Sequence, residues 1–283
     1  MEQTDRYAIE LRGIDKRFGE VHANKHIDLQ VRKGSIHGIV GENGAGKSTL
    51  MSIIYGFYHA DSGDMHIDGT PFRPHGSQDA IAAGIGMVHQ HFMLVNNFTV
   101  LENVVLGAEG GWNLTTSLRK AEVHLKQLAT SYGLDVPLHE KIEDLPVGLQ
   151  QRVEILKALY RGARILILDE PTGVLTPQEA DHLFTILRKL RDQGTTVILI
   201  THKLREILAI TDQVSIMRRG EMVAHVATRD TNKEELAELM VGRKVRLTVD
   251  KGDAAPGQPQ LSVKNLSYVD AAGVTRVKSV SFD

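Results

Sequence analysis

Hydrophobic and polar positions alternate along the first part of the chain in the way that half-buried β-strands require. The alternation predicts strands over Tyr7–Arg12 and Ile27–Val31, and the apolar run Ile36–Val40 predicts a third strand. An Asp68-Gly69 pair between short apolar runs predicts a hairpin, because this dipeptide suits a tight turn. Another strand is predicted over Ile85–Val88. We therefore expect this part of the chain to be rich in β-structure.

The spacing of apolar residues changes to the helical period between about residues 97 and 162. The stretch Thr99–Glu102 has the pattern of a capping box in front of an apolar run, which predicts the start of a helix. Ser117 is predicted to cap the next helix, which would end at Gly133, and a further helix is predicted from about Leu149 to Tyr160. The whole segment is predicted to be a helical insertion.

A strand, a helix and a second strand are predicted in succession after this insertion. The strands are Ile165–Leu168 and Thr196–Ile200, and the helix between them runs from Pro177 to Leu190. Thr176 and Glu179 supply the cap and the capping box of that helix. A strand–helix–strand order predicts a right-handed crossover between parallel strands of one sheet.

The last part of the chain is predicted to contain a domain boundary. A capping-box pattern over Thr231–Glu234 predicts a short helix that closes at Gly242, so a first domain would cover residues 1–242. Residues 243–260 are polar and rich in Gly, Pro and Asp, which is typical of a linker. In residues 261–283 the stretches LSVKNL and VKSVSFD echo IELRGI and ANKHIDL near the start. We expect residues 261–283 to be the truncated start of a second copy of the first domain.

Composition narrows the class of protein without identifying it. The 283 residues, with 42% hydrophobic and 24% charged residues, are typical of a soluble globular chain with a packed core. The 33 basic and 35 acidic residues nearly cancel, so a nucleic-acid partner is not expected. The chain has no cysteine, which excludes disulfides and thiolate metal sites and suits a reducing compartment. It shows neither a signal-peptide pattern at its start nor an apolar run of about 18 residues, so we expect any membrane association to depend on a partner.

The stretch GENGAGKSTL, Gly41–Leu50, directly follows the predicted strand Ile36–Val40. Glycine inside an element costs about 0.5–1 kcal/mol relative to alanine, so a turn this rich in glycine indicates close approach of the backbone to a ligand. The stretch matches GxxxxGK[ST] between a strand and a helix predicted over Lys47–Tyr55, the setting of a nucleoside triphosphate loop. Backbone N–H groups would wrap the phosphates, Lys47 would reach the β and γ phosphates, and Ser48 would bind Mg²⁺. The predicted nucleotide-binding residues are Gly41, Asn43, Gly44, Ala45, Gly46, Lys47, Ser48 and Thr49.

Two consecutive carboxylates end the predicted strand that begins at Ile165. A buried parallel strand would place Asp169 and Glu170 at its carboxyl edge, where ligands bind in such sheets. We expect Asp169 to hold Mg²⁺ through a water and Glu170 to orient or deprotonate the attacking water. Without the phosphate loop, a solvated acidic turn would be an equally good interpretation.

The order of these motifs resembles that of the ATP-binding cassette (ABC) ATPases that drive membrane transporters, over about residues 7–242. The resemblance implies an α/β fold: a P-loop NTPase core with a mostly parallel sheet, an antiparallel β subdomain and a helical insertion. It implies that Phe18 stacks on adenine, that Gln90 senses Mg²⁺ and the γ-phosphate, and that His202 contacts the γ-phosphate. From the residues alone, a turn-packing aromatic and a structural histidine remain alternatives for Phe18 and His202.

A departure from the family pattern occurs where the family has its signature loop, LSGGQ. The residues here are Leu145, Pro146, Val147, Gly148, Leu149 and Gln150. In the family this loop closes over the γ-phosphate held by the opposite cassette, so each site is shared between two cassettes. Pro146 replaces the serine and removes its hydroxyl donor, which puts the site completed by this loop in doubt.

Several stretches look like the ATP-binding subunits of bacterial sugar and nucleoside importers, with the run around Gln90 most like the nucleoside branch. This resemblance implies transmembrane permease subunits and a substrate-binding lipoprotein as partners, a second cassette in the full-length chain, and a place on the cytoplasmic face of the membrane. Two alternatives stay open. One is a nucleotide-gated module that hydrolyses ATP poorly; the other is a soluble cassette protein of translation or DNA repair, for which residues 243–260 lack the expected basic character.

Overall fold

The structure is a computed structural model that describes residues 6–108, 114–244, 257–271 and 273–283. The chain divides into two compact units, Met1–Val245 and Arg246–Asp283. Most of the predicted linker, residues 245–256, lies outside the described residues. None of the described helices is long and apolar enough to cross a membrane.

Strands and helices alternate through most of the first unit. The strands are β1 (Tyr7–Phe18), β2 (Val21–Arg32), β3 (Ile36–Val40), β4 (Ser62–Ile67), β5 (Thr70–Pro71), β6 (Ile85–Val88), β7 (Ile165–Asp169), β8 (Thr196–Ile200), β9 (Gln213–Arg218) and β10 (Glu221–Ala227). The helices are α1 (Lys47–Ile54), α2 (Ser77–Ala82), α3 (Val100–Val105), α4 (Leu114–Tyr132), α5 (Val147–Tyr160), α6 (Pro177–Asp192), α7 (Leu204–Ile210) and α8 (Lys233–Val241). Of these, α2, α7, β9 and β10 have no counterpart among the sequence predictions.

Two sheets organise the first unit. The smaller has the order β2-β1-β4-β5 and is antiparallel, with the predicted hairpin pairing Ile67 with Thr70 across Asp68-Gly69. The larger has the order β10-β9-β3-β8-β7-β6, and its strands are parallel except for β10 at one edge. Helices α3, α4 and α5 pack on one another as the helical insertion. The predicted fold class is therefore confirmed.

The central sheet is buried on both faces, which explains why its inner strands are almost wholly apolar. In β7, Ile165 and Ile167 belong to the core shared with the antiparallel sheet and α1. Leu166 and Leu168 belong to the core shared with helices α3 to α8. This period of two is the pleat of the strand, so the sheet separates two cores and is held from both sides.

Two helix starts differ from the prediction. Helix α4 begins at Leu114, so Ser117 lies within it and does not cap it. Serine inside a helix costs less than about 0.7 kcal/mol relative to alanine, so cap chemistry alone does not decide where a helix begins. Helix α8 is capped by Asn232, whose side chain accepts a hydrogen bond from the Glu235 backbone N–H, and not by Thr231. Asparagine is at least as good an N-cap as threonine, which shifts the start by one residue.

Other predicted helix ends are confirmed. Reciprocal capping boxes start α3 at Thr99 and Glu102 and α6 at Thr176 and Glu179. Helix α8 ends at Gly242, which has a left-handed backbone with φ of 78°.

The second unit contains one antiparallel strand pair among its described residues. Its strands are β11 (Val263–Val269) and β12 (Thr275–Phe282), and Val263 pairs with Phe282. Each strand overlaps one of the stretches that resemble the start of the chain, residues 261–266 and 277–283.

Four parallel strands end at the same edge of the central sheet, and each is followed by a predicted site residue. Strand β3 leads into the turn that begins at Gly41, and β6 is followed two residues later by Gln90. Strand β7 ends with Asp169, and β8 is followed by Thr201 and His202. Because parallel strands bring their carboxyl ends together, the fold gathers these side chains from separate parts of the sequence.

Candidate functional site

A cleft of about 640 Å³ lies at this edge of the sheet. It collects nearly all the residues predicted for nucleotide, metal and catalysis. The predicted residues that line it are Phe18, Asn43, Gly44, Ala45, Gly46, Lys47, Ser48, Thr49, Gln90, Asp169, Glu170 and His202. Gly41 and the signature-loop residues do not line it.

The glycine-rich turn has the backbone that its sequence predicts. Gly44 and Gly46 have φ of 80° and 101°, a region that residues with a Cβ rarely adopt. A Cβ on Gly46 would lie 2.3 Å from the carbonyl oxygen of Ala23, so β2 packs directly against the turn. Around Gly44, no atom of the described residues other than its chain neighbours lies within 4 Å of a Cβ position. The turn therefore presents bare backbone to the cleft, directly before the free N–H groups of helix α1.

Gly41 has a packing role. A Cβ at this position would lie 2.3 Å from the carbonyl oxygen of Met217 on β9, so only glycine fits between the turn and the sheet. Its own carbonyl accepts a hydrogen bond of 2.8 Å from Lys47 Nζ.

Lys47 places a buried cation in the cleft. Its Nζ also donates to the carbonyl oxygen of Glu42 at 3.0 Å, so the ammonium is held against the turn. Burial lowers the pKa of Lys47, and the nearby charges of Glu170 and Asp169 oppose that shift. The carboxylates therefore favour the charged form that a phosphate group would bind.

Asp169 and Ser48 offer a donor set that fits Mg²⁺. Burial raises the pKa of Asp169, and a hydrogen bond from the Ser48 hydroxyl opposes the rise. Mg²⁺ in phosphate-binding sites is held by one or two carboxylates together with the phosphates, not by a cage of protein ligands. In keeping with this, the described part of the chain has no group of three or more His, Asp or Glu that could hold a metal. Gln90 lines the same cleft and can add an amide oxygen.

Glu170 has an unusual backbone and a well-defined side chain. Its φ is 49°, in the left-handed region, and its N–H donates to the carbonyl oxygen of Ile200 at 2.9 Å. Oε1 of its carboxylate lies 2.8 Å from Nδ1 of His202, and Oε2 lies 3.3 Å from Oγ1 of Thr201. Two residues that follow β8 thus orient the carboxylate of Glu170, which follows the neighbouring strand β7.

Phe18 lies at the rim of the cleft, at the end of β1. Phe18 is 43% exposed. The Tyr58 ring meets it edge-on at 5.1 Å between centroids, and Lys16 Nζ lies 5.4 Å from its centroid. These contacts hold the ring while leaving part of it exposed at the rim of the cleft.

Replacing Phe18 with alanine is expected to raise the dissociation constant for ATP about tenfold, because base–aromatic stacking contributes roughly 1–3 kcal/mol. Titration with a fluorescent ATP analogue measures this, and the rise should be smaller for inorganic triphosphate, which has no base. Phe57→Ala, at another exposed aromatic ring of the same unit that does not line the cleft, is the matched control. Equal ATP affinity in the Phe18 variant and the parent protein would exclude stacking.

The signature loop lies apart from the cleft within this chain. Helix α5 begins at Val147, two residues earlier than predicted, and Pro146 occupies its N-cap without a side-chain hydrogen bond. Gln150 Nε2 donates to the carbonyl oxygen of Leu145 at 2.9 Å, so its amide holds the loop. Val147 is exposed, and a Cβ on Gly148 would meet Glu179 Oε1 at 2.5 Å. At the start of α5, Val147 is therefore exposed and Gly148 packs closely against Glu179, and residues 145–150 offer no hydroxyl donor.

Sequence reasoning missed part of the cleft. His22, Ala23, Arg219 and Gly220 also line it. The turn between β9 and β10 packs on the glycine-rich turn, where Gly220 N–H donates to the carbonyl oxygen of Ala45 at 3.0 Å. The only signal in the sequence is the Arg219-Gly220 turn dipeptide, which does not indicate what the turn contacts.

A glycine-rich turn, a lysine and a hydroxyl, facing two carboxylates on another parallel strand, define a nucleoside triphosphate-binding domain of the P-loop class. The sequence model described as ABC transporter matches residues 24–173. The chain belongs to the ABC transporter family.

Three similar curated proteins are ATP-binding proteins of import systems. A glucose import ATP-binding protein of Haloferax volcanii is 48% identical over 96% of this chain and 54% of its own length. The nucleoside import ATP-binding protein NupA of Lactococcus lactis is 46% identical, over 97% of this chain and 54% of its own. The guanosine import ATP-binding protein NupO of Bacillus subtilis is 45% identical over the same shares. The chain therefore spans about half the length of these relatives.

Solved structures agree with the family. MJ1267 in its ADP conformation, an ATP-binding cassette of an ABC transporter, is 26% identical and superposes with a TM-score of 0.73, over 84% of this chain and 99% of its own. The dimeric cassette MJ0796 is 28% identical with a TM-score of 0.66, over 78% of this chain and 99% of its own.

Proposed function

We propose that this chain is an ATP-binding and ATP-hydrolysing subunit that powers an ABC importer for nucleosides or simple sugars. The observation that carries the proposal is the cleft that joins the glycine-rich turn, Lys47, Ser48, Asp169 and Glu170. The cargo classes come from the relatives, which import glucose, nucleosides and guanosine.

Hydrolysis in this cleft depends on placement and charge. The backbone N–H groups of the turn and Lys47 bind the phosphates, and Phe18 stacks on the base. Ser48, Asp169 and Gln90 would hold Mg²⁺, which when bound neutralises charge on the phosphate oxygens. Glu170 orients the attacking water and takes its proton, while His202 contacts the γ-phosphate and orients Glu170.

A complete site needs a second cassette under this proposal. The signature loop, residues 145–150, does not line the cleft of its own chain and is free to close over a nucleotide bound by another cassette. We infer that the first cassette covers residues 1–242, that 243–260 is a linker, and that 261–283 opens a second cassette. The hairpin of β11 and β12 and the greater length of the relatives support this division.

The partners follow from the same function. An importer needs transmembrane permease subunits, and we propose these together with a substrate-binding lipoprotein and the second cassette. The chain would then work on the cytoplasmic face of the membrane. The near balance of 33 basic and 35 acidic residues supports an assembly without nucleic acid.

A second candidate is a nucleotide-gated module that hydrolyses ATP poorly. Pro146 favours it, because the N-cap of α5 offers neither a side-chain hydroxyl nor a backbone N–H to a phosphate. The two candidates differ in turnover and not in ATP binding.

The chain by itself is expected to bind Mg-ATP and to hydrolyse it slowly, with a specific activity that rises with protein concentration because two chains must meet. Phosphate release measured over a wide range of protein concentration tests this, beside binding of a fluorescent ATP analogue. Rapid hydrolysis that is independent of protein concentration would contradict the shared site. A two-cassette protein that binds ATP without turnover would favour the gated module, and RNA or DNA binding that weakens with salt would favour a role in translation or repair.

A further inference from the structure

A buried carboxylate that does not line the ATP-binding cleft lies behind Glu170. Glu206, on α7, is almost enclosed by protein, and its Oε1 accepts a hydrogen bond from the Thr172 hydroxyl. Its Oε1 also lies 3.3 Å from Lys203 Nζ, and its Oε2 lies 3.4 Å from Thr201 Oγ1. A buried carboxylate is costly unless it is paired and hydrogen-bonded, so these three partners explain how the fold tolerates it.

Thr172 is held from two sides. Besides donating to Glu206, its hydroxyl accepts a hydrogen bond of 3.1 Å from Lys203 Nζ. The same ammonium donates to the Thr172 carbonyl oxygen at 3.0 Å. Both the side chain and the backbone of Thr172 are therefore fixed, two residues beyond Glu170.

The hydrogen bonds that fix Thr172 matter because the backbone of Glu170 is strained. A left-handed conformation at a residue other than glycine is unfavourable and persists only where the surroundings enforce it. One hydrogen bond, from the Gly173 N–H to the Glu170 carbonyl oxygen at 3.1 Å, closes the turn. Thr172 lies inside that turn, so fixing Thr172 fixes the turn that aims Glu170.

Thr201 provides a second connection. Its hydroxyl lies 3.3 Å from Glu170 Oε2 and 3.4 Å from Glu206 Oε2, and it accepts a hydrogen bond from the Lys203 N–H. A hydroxyl has one hydrogen to donate, so the two carboxylates share a single donor. The placement of Glu206 therefore affects the hydrogen bonding of Glu170 as well as its backbone.

We propose that Glu206 is a positioning residue for ATP hydrolysis. It holds Thr172 and Thr201, and through them it sets the backbone and the carboxylate orientation of Glu170. Glu206 does not contact the nucleotide. The inference rests on the proposed ATP hydrolysis and adds the residue that keeps its general base in place.

Glu206→Ala in the assembled two-cassette protein is expected to lower kcat about tenfold or more, because small displacements of a reacting group lower rates steeply. The KM for ATP and the dissociation constant of a fluorescent ATP analogue should stay within about twofold, since the binding residues are untouched. Glu206→Gln keeps an acceptor for Thr172 and is expected to restore most of the rate. Thr172→Val replaces the hydroxyl by a methyl group of similar size. This variant should show the same loss of kcat as Glu206→Ala.

Asp212→Ala, which removes the acceptor of the Ile36 N–H, is the control for general loss of stability. Asp212 accepts a hydrogen bond of 2.8 Å from the Ile36 N–H and lies outside the cleft, so its variant should lower Tm and leave kcat per bound nucleotide unchanged. Parental kcat in both Glu206→Ala and Thr172→Val would overturn the inference while leaving the proposed function intact. A parent protein without hydrolysis would overturn the proposed function, and this inference with it.

Discussion

Replacing Glu170 with glutamine is expected to lower ATP turnover by roughly 10²–10⁴-fold, the usual contribution of a general base. Glutamine keeps the shape of the side chain and its contacts with His202 and Thr201, but it cannot take a proton from water. The dissociation constant for Mg-ATP should therefore stay within about twofold, because no phosphate-binding group changes. Phosphate release and titration with a fluorescent ATP analogue, made on the same two-cassette protein, measure the two quantities.

The same variant should also accumulate the closed state. ATP that is bound between two cassettes and not hydrolysed keeps both halves together, so the two-cassette protein should elute as a more compact species in size-exclusion chromatography with Mg-ATP. Glu143→Gln is a suitable control, because Glu143 is an exposed carboxylate paired with Lys141 at 3.4 Å, outside the cleft. Turnover at the parental rate in Glu170→Gln would remove Glu170 from the role of base.

Replacing Lys47 with alanine is expected to weaken Mg-ATP binding by about 10²-fold, since hydrogen bonds to charged groups contribute roughly 1.5–3 kcal/mol each. The ammonium of Lys47 is buried in the cleft, beside the glycine-rich turn that would hold the phosphates. The loss should be larger for ATP than for ADP, because in the proposed site this lysine would reach the γ-phosphate as well as the β-phosphate. Isothermal titration with both nucleotides measures the difference.

Weaker ATP binding in Lys47→Ala could come from a destabilised turn or from the lost positive charge, and the experiment has to separate the two. The alanine removes the Nζ donor to the carbonyl oxygens of Gly41 and Glu42, although the Glu42 carbonyl still accepts from the Ala45 N–H. Binding should therefore be measured well below the Tm of the variant. Lys25→Ala serves as the control, because Lys25 pairs with Glu221 at 3.4 Å and does not line the cleft. Unchanged ATP affinity in Lys47→Ala would contradict the proposed phosphate site.

Prediction from the sequence succeeded where a local pattern carries the information. Strand β3 and strand β8 have the bounds that their apolar runs predict, and helix α6 starts at the predicted capping box of Thr176 and Glu179. The glycine-rich turn has the left-handed residues that its composition indicates. Such features depend on neighbours within a few residues, so reading along the chain is enough.

Prediction was poorer where neighbouring residues are equally good places for a helix to begin. Asn232 and Thr231 are both acceptable caps for α8, and the structure uses Asn232. Ser117 lies inside α4 because a helix can continue through serine at small cost. In both cases the alternatives differ by less than the packing energy of the helix, so tertiary contacts decide between them.

By itself the sequence determined the class of chemistry, because glycines, Lys47, Ser48 and the carboxylates at 169 and 170 occur at spacings that suit a triphosphate and its metal. Only the tertiary structure decided which other residues line the cleft or support its side chains. Arg219 reaches the cleft from a distant hairpin, and Glu206 meets Thr172 across 34 residues of sequence. The physical reason is that parallel strands and packed helices bring separated segments together, and the distance between two residues along the chain does not indicate their distance in space.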